Sequence, residues 1–346
     1  VLLISVLAMG FLNWSGLTAV GTTAIFIGVF LMIPFVIFVV VGTFKVDPQR
    51  WLEMPSLTVA EYDAASEYEL GGGFFPYAAV GGVLLRPFLN TLFWNHNAFD
   101  STATFSEDCG KEPERIIPIS LHIAWFLIML FYVFPVAVAI GVSDGEQIEW
   151  QSGYIESLAS DTVGPWLGNW LMVASGVSNI ALHQAEMSGG VFKLMGMAHN
   201  GLLPKFLGVR SAQGTPTYAI MLSSTIIFGL SMIHTHRLIE MQNFNYGIAV
   251  LLEYAAFIKL RRDQPDGKWV VRVPFRTLGC ILALLPPIII IVAILLLASW
   301  HTMIGGAVTI VLSCVTWCFF AQRIFENRNN ARRTEKSPIK EDSDFI

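Results

Sequence analysis

The sequence predicts an all-α membrane protein with about nine transmembrane helices, and three observations carry that prediction. Hydrophobic residues make up 54% of the 346 and charged residues only 14%, against about 25% charged in an ordinary soluble domain. Apolar runs of roughly 20 residues, enough to cross a bilayer as a helix, recur along the whole chain. The segments between the runs alternate between acidic and basic. The runs are too continuous for barrel strands, which alternate over about 10 residues. In lipid, only helices and closed barrels satisfy their own backbone.

In chain order the spans fall at residues 1–12 (partial), 17–41, 87–106, 116–141, 164–192, 215–233, 243–260, 278–299 and 303–322. The chain opens at Val1 inside an apolar run, without a methionine. That start is expected of a piece whose N-terminal part is missing. A long extracytoplasmic loop, 42–86, follows the second run. It contains Gly71-Gly72-Gly73, expected to be a flexible hinge because no Gly-Lys-Ser/Thr follows to make a phosphate loop. Pro34, Pro135, Pro286 and Pro287 lie within spans and are expected to kink them.

Charge sets the orientation. The segment 193–210 carries Lys193, Lys205 and Arg210 and no acid. Residues 259–276 carry Lys259, Arg261, Arg262, Lys268, Arg272 and Arg276 against Asp263 and Asp266. The loop 142–162 carries Asp144, Glu146, Glu149, Glu156 and Asp161 with no base, and the loop 42–86 has six acids to three bases. With these spans, both basic segments share one side, which the positive-inside rule makes cytoplasmic. The tail 323–346 lands there too, as a solvated, disordered end.

Two segments carry chemistry. In the third span, 87–106, Trp94, Asn95, His96, Asn97, Phe99 and Asp100 crowd into seven positions. Polar groups at membrane depth face a cavity or one another. Asn competes for backbone hydrogen bonds, so a helix break is expected near 95–99. Its unwound carbonyls would ligate a cation, with Trp94 and Phe99 as aromatic walls for an ammonium. The plainer account is a polar helix start with Trp94 as an interfacial anchor. In the second segment, 164–192, Ser175, Asn179, His183, Glu186 and Gly190 share one helical face. A carboxylate at that depth needs a partner, and no Lys or Arg lies between 116 and 192. An amine substrate or a proton fits Glu186, with His183 as support or proton relay. The plainer accounts are a neutral Glu186 bonded to a neighbouring helix and a packed His183. Glu253, near Lys259 and Arg261, is expected to join an ion pair.

Several motifs then point to a family: Leu12-Asn13-Trp14-Ser15-Gly16, Thr91-Leu92-Phe93-Trp94-Asn95 with Asp100-Ser101, Ala185-Glu186-Met187-Ser188, Asn200-Gly201-Leu202-Leu203-Pro204 and Gly214-Thr215-Pro216. Over roughly residues 1–322 the chain resembles the polyamine transporters of plants and protists. These belong to the amino acid–polyamine–organocation superfamily and stand close to the L-type amino acid transporters. The resemblance implies twelve spans, an inverted five-plus-five repeat and two further C-terminal helices. This chain would begin at the fourth span and so lack the first three, making its repeat incomplete. Residues 87–106 would be the broken sixth span and 164–192 the eighth. Trp94 would lie over the substrate, Asp100 near an acidic gate, and Glu186 where polyamine-type members carry a carboxylate. The loop 42–86 is longer than the family pattern, and His96 and Phe99 depart from it.

The expectation is therefore a transmembrane transporter domain over 1–322, the loop 42–86 and a cytoplasmic tail. It would take up polyamines such as putrescine and spermidine by alternating access, with proton symport, in the plasma membrane. The substrate-binding candidates are Trp94, Asn95, Asn97, Phe99, Asp100, Asn179 and Glu186. His183 and Asp100 are the candidates for proton coupling. Protons and membrane lipid are the other partners; no nucleic acid, metal, cofactor or enzymatic activity is expected. An amino-acid permease or exchanger of the same fold, or a non-transporting membrane scaffold, are the rival readings.

Overall fold

A computed structural model describes residues 2–53, 72–97, 99–105, 112–145, 149–151, 153–231, 235–264, 273 and 275–335. Ten helices are described: α1 (Leu2–Trp14), α2 (Leu17–Gly42), α3 (Leu85–Asn95), α4 (Pro113–Val142), α5 (Tyr154–Thr162), α6 (Pro165–His199), α7 (Thr217–Leu230), α8 (Thr235–Asp263), α9 (Thr277–Leu297) and α10 (Trp300–Glu335). A two-residue hairpin, β1 (Ala79–Val80) against β2 (Val83–Leu84), leads antiparallel into α3.

Among the described residues, four helical stretches are long and apolar enough to cross a membrane: Thr18–Lys45, Arg115–Val142, Thr277–Leu297 and Trp300–Cys318. Their outward faces carry large apolar side chains, such as Ile25 and Phe26 at 70% and 72% exposure. Apolar patches of that extent mark contact with lipid or protein rather than water. The molecule is a multi-pass integral membrane protein.

Helix α6 is the axis of the packing. Its first third contributes Leu167 and Leu171 to a core with Phe38 of α2, Val138 and Ala139 of α4, and Leu158 and Ala159 of α5. Its last third contributes Met187, Val191, Phe192, Met195 and Ala198 to a second core with Ala219 and Ile220 of α7 and the flanking Trp14. At 35 residues and 1.5 Å per residue, α6 is about 52 Å long and overreaches a hydrocarbon core of about 30 Å. The stretch between its two cores is left to carry polar side chains.

Four expectations need correction. The loop 142–162 contains a helix, α5, which crosses α6 closely at Gly168. A Cβ there would lie 2.7 Å from the Glu156 carbonyl oxygen. The described part of the Gly71–Gly73 run is a wedge rather than a hinge; Gly71 itself lies outside the described residues. Gly73 has φ +101°, and a Cβ on it would come within 2.6 Å of both the Ala298 carbonyl and Arg86 Nη2. The disordered tail is corrected over its first half, because α10 runs on to Glu335. Residues 323–335 hold no Gly or Pro, and extending an existing helix needs no new nucleus. Finally, Glu253 forms no ion pair among the described residues. Six residues along a helix to Lys259 turns through about 240°, off its face, and Arg261 Nη2 instead donates to the carbonyls of Val273 and Phe275.

Candidate functional site

The site forms where the chain breaks after α3. The helix stops at Asn95, His96 leaves the helical region at φ −120° and ψ 13°, and the chain resumes as a 3-10 helix at Phe99–Phe105. Side chains help to end it. Asn95 Nδ2 donates 2.9 Å back to the Thr91 carbonyl, and His96 Nδ1 lies 2.9 Å from the Leu92 carbonyl oxygen. These are the local competitors for backbone bonds that weaken a helix.

Three elements hold the broken segment. From α4, the Tyr132 hydroxyl donates 2.7 Å to Asn95 Oδ1, and its ring lies 5.9 Å from that of His96. From α8, the fully buried Asn243 donates through Nδ2 at 2.9 Å to both the backbone and side-chain oxygens of Asn90. Asn97 Nδ2 reaches Asn243 Oδ1 at 3.5 Å. One turn further along α8, the Tyr246 hydroxyl donates to Asp100 Oδ1. From α6, Lys193 Nζ stands 3.6 Å from the other oxygen, Asp100 Oδ2. Thus Asn95, Asn97 and Asp100 are each tied to a different neighbour. Trp94 and Phe99 are half-buried.

Sequence reasoning missed these partners. In sequence Lys193 opens the basic segment 193–210; in the structure it lies inside α6 and faces Asp100. Asn243 and Tyr246 had a readable signal. The run Asn243-Phe244-Asn245-Tyr246 puts three polar side chains at the start of a supposedly apolar span. Arg86 had a similar one, a cation beside an apolar run. It is 1% exposed, and its Nε and Nη2 donate to the carbonyls of Leu297 and Gly72 at 2.5 and 2.6 Å. On α8, Glu240 accepts from the Ser299 N–H at 2.6 Å, so one buried carboxylate caps the start of α10.

The second half of the predicted site stands on α6. Asn179 bonds locally, donating through Nδ2 to the Ser175 carbonyl at 3.2 Å. His183 is half-buried, and its Nε2 has no hydrogen-bond partner among the described residues. Glu186 is exposed and makes no hydrogen bond or ion pair among the described residues. Gly189, beside it, packs on the broken segment: a Cβ there would sit 3.9 Å from the Ser101 Cβ. Ser175, Asn179, Glu186, Gly190 and Lys193 form one stripe along the helix, with Leu182 at its edge. The stripe therefore runs from an unpartnered carboxylate to the ion pair that holds the broken segment. This arrangement can neutralise and ligate a cation. Among the described residues, no cluster of His, Cys, Asp and Glu fits a metal ion.

Comparison with known proteins identifies the family. A family model described as amino acid permease matches residues 1–320. The chain is 33% identical over 319 residues to a probable polyamine transporter of Arabidopsis thaliana, covering 92% of this chain and 61% of that protein. It is 34% identical over 288 residues to a polyamine transporter of Oryza sativa subsp. japonica, covering 83% and 50%. A cationic amino acid transporter of Arabidopsis thaliana is 28% identical over a shorter stretch, 40% of this chain and 22% of that protein. The chain thus spans about half to three-fifths of the length of the polyamine transporters it matches.

Proposed function

This chain belongs to the amino acid permease family, and on that premise we propose that it forms much of a secondary transporter for small cationic amines, polyamines such as putrescine and spermidine. One observation carries the reading: Glu186 stands without a partner on a polar stripe of a central helix, beside a broken helix fixed by an acid–base pair. A carboxylate at membrane depth costs roughly 3 kcal/mol or more unless compensated. A face bearing Ser175, Asn179, Glu186 and Lys193 is unsuited to lipid, so it borders water or further protein. An ammonium guest supplies the missing positive charge.

The relatives' names favour polyamines, and the carboxylate at 186 agrees with them. An amino-acid substrate would also need its own carboxylate held, for instance at a helix N-terminus. The described part of the site offers Glu186 and Asp100 to a guest. The remaining features of this reading are an incomplete inverted five-plus-five repeat of about nine spans, the basic segments on the cytoplasmic side, and residence in the plasma membrane. Proton coupling would run through His183, whose Nε2 lacks a partner, or through Asp100. Protonating Asp100 removes its attraction to Lys193 and loosens the broken segment.

The test is uptake of labelled putrescine by the full-length protein in proteoliposomes, with unlabelled spermidine or leucine as competitor. Spermidine should compete and leucine should not; the reverse pattern assigns the protein to amino acids. Glu186→Gln should raise the KM for putrescine roughly tenfold or more, the scale of a lost charge-assisted bond. An unchanged KM removes Glu186 from the site.

A further inference from the structure

We infer that Lys193 is a specificity-determining residue, whose fixed ammonium sets how many positive charges the site accepts. The inference rests on the cationic-amine reading above and adds the basis for choosing among amines. Glu186 and Lys193 lie seven residues apart on α6, which is 20° short of two full turns and about 10 Å along the axis. They therefore project from the same face. Gly190 lies between them, and a Cβ on it would meet nothing within 4 Å. The helix surface between the two charges therefore carries no side chain at position 190.

Asp100 completes the set. Lys193 Nζ is 3.6 Å from Asp100 Oδ2, with the two side chains 50% and 28% exposed. Tyr246 holds the other carboxylate oxygen from α8. Two carboxylates and one ammonium leave the site with a single net negative charge. A diammonium guest that places one end on Glu186 brings its other end towards Lys193, and a triammonium guest brings still more charge there. Lys193 is thus a built-in competitor for Asp100. It penalises each further positive charge on the guest and favours diamines over triamines.

The experiment measures kcat/KM for labelled putrescine and spermidine with the full-length protein in proteoliposomes. Lys193→Met should raise the spermidine-to-putrescine ratio on the order of tenfold, from one elementary charge about 10 Å away at an effective dielectric of about 20. Lys193→Arg should keep the wild-type ratio, whatever its rate. Asp100→Asn should lower the ratio. The Lys193→Met, Asp100→Asn double variant restores the net charge and should return the ratio towards wild type. A purely structural ion pair predicts otherwise: both single variants lose rate, the double variant recovers rate because no charge is left unpaired, and the ratio stays fixed throughout. If Lys193→Met does not fold, judged by size-exclusion chromatography in detergent, Asp100→Asn reads the same charge dependence in the opposite direction. A ratio that stays fixed while the wild type transports both amines overturns the inference and leaves the amine reading standing. A wild type that transports neither amine overturns both.

Discussion

Asn243 and Asn90 show how much the site depends on a few buried amides. Asn243 is fully buried and supplies the donor for two oxygens of Asn90 on another helix, while its own Oδ1 receives Asn97. A buried acceptor stripped of its donor costs about 1–3 kcal/mol. Asn243→Leu should lower stability by that amount, seen as a reduced Tm in detergent, because it takes the donor from the Asn90 side-chain oxygen and the acceptor from Asn97. A melting temperature equal to wild type means that water or another group takes over the bonds. Glu186 is the opposite kind of residue, since it stabilises nothing it can be seen to touch. Its replacement by Gln should therefore cost substrate affinity with little loss of Tm.

Among the elements, the break between α3 and the 3-10 helix at Phe99–Phe105 is held from both ends. At the far end of α3, Arg86 bridges the Gly72 and Leu297 carbonyls, while Glu240 caps α10 at Ser299. The joint between α9 and α10 is thereby tied to the start of α3 and to the first turns of α8. Gly73 lets this happen twice over: its φ of +101° suits a residue without Cβ, and its neighbours leave no room for one. Strained positive-φ positions cost about 1–3 kcal/mol for a residue with a side chain. Gly73→Ala should lower Tm by a corresponding amount and loosen the Arg86 contacts. The same change at Gly190, which faces open space, should leave Tm nearly unaltered apart from its effect on the helix. Equal losses at both positions would remove the special role given to Gly73.

For the whole molecule, the proposed orientation is tested at α6, which separates Asp161 at one end from Lys205 beyond the other. Both residues are exposed. With the native cysteines replaced, a membrane-impermeant thiol reagent should label Asp161→Cys in intact cells and Lys205→Cys only after permeabilisation. Labelling of both from outside would mean that α6 does not cross, and the proposed orientation would go with it. The apolar runs that became α2, α4, α9 and α10 were legible in advance. The break at Asn95 was legible too, because Asn95 and His96 turn on their own helix within four residues.

The sequence by itself determined the class of protein, the places of the long helices and the point where one of them breaks. Each depends on neighbours a few residues away: hydropathy over a span, competition for backbone bonds over one turn. Only the tertiary structure decided which groups answer the polar residues at the break. Asp100 and Tyr246 are 146 positions apart in the chain, and Asn90 and Asn243 are 153 apart. Periodicity places a residue on a face of its own helix, whereas a partner depends on how whole helices cross. That is why the pairing of Lys193 with Asp100 depends on the packing of α6 against the broken segment.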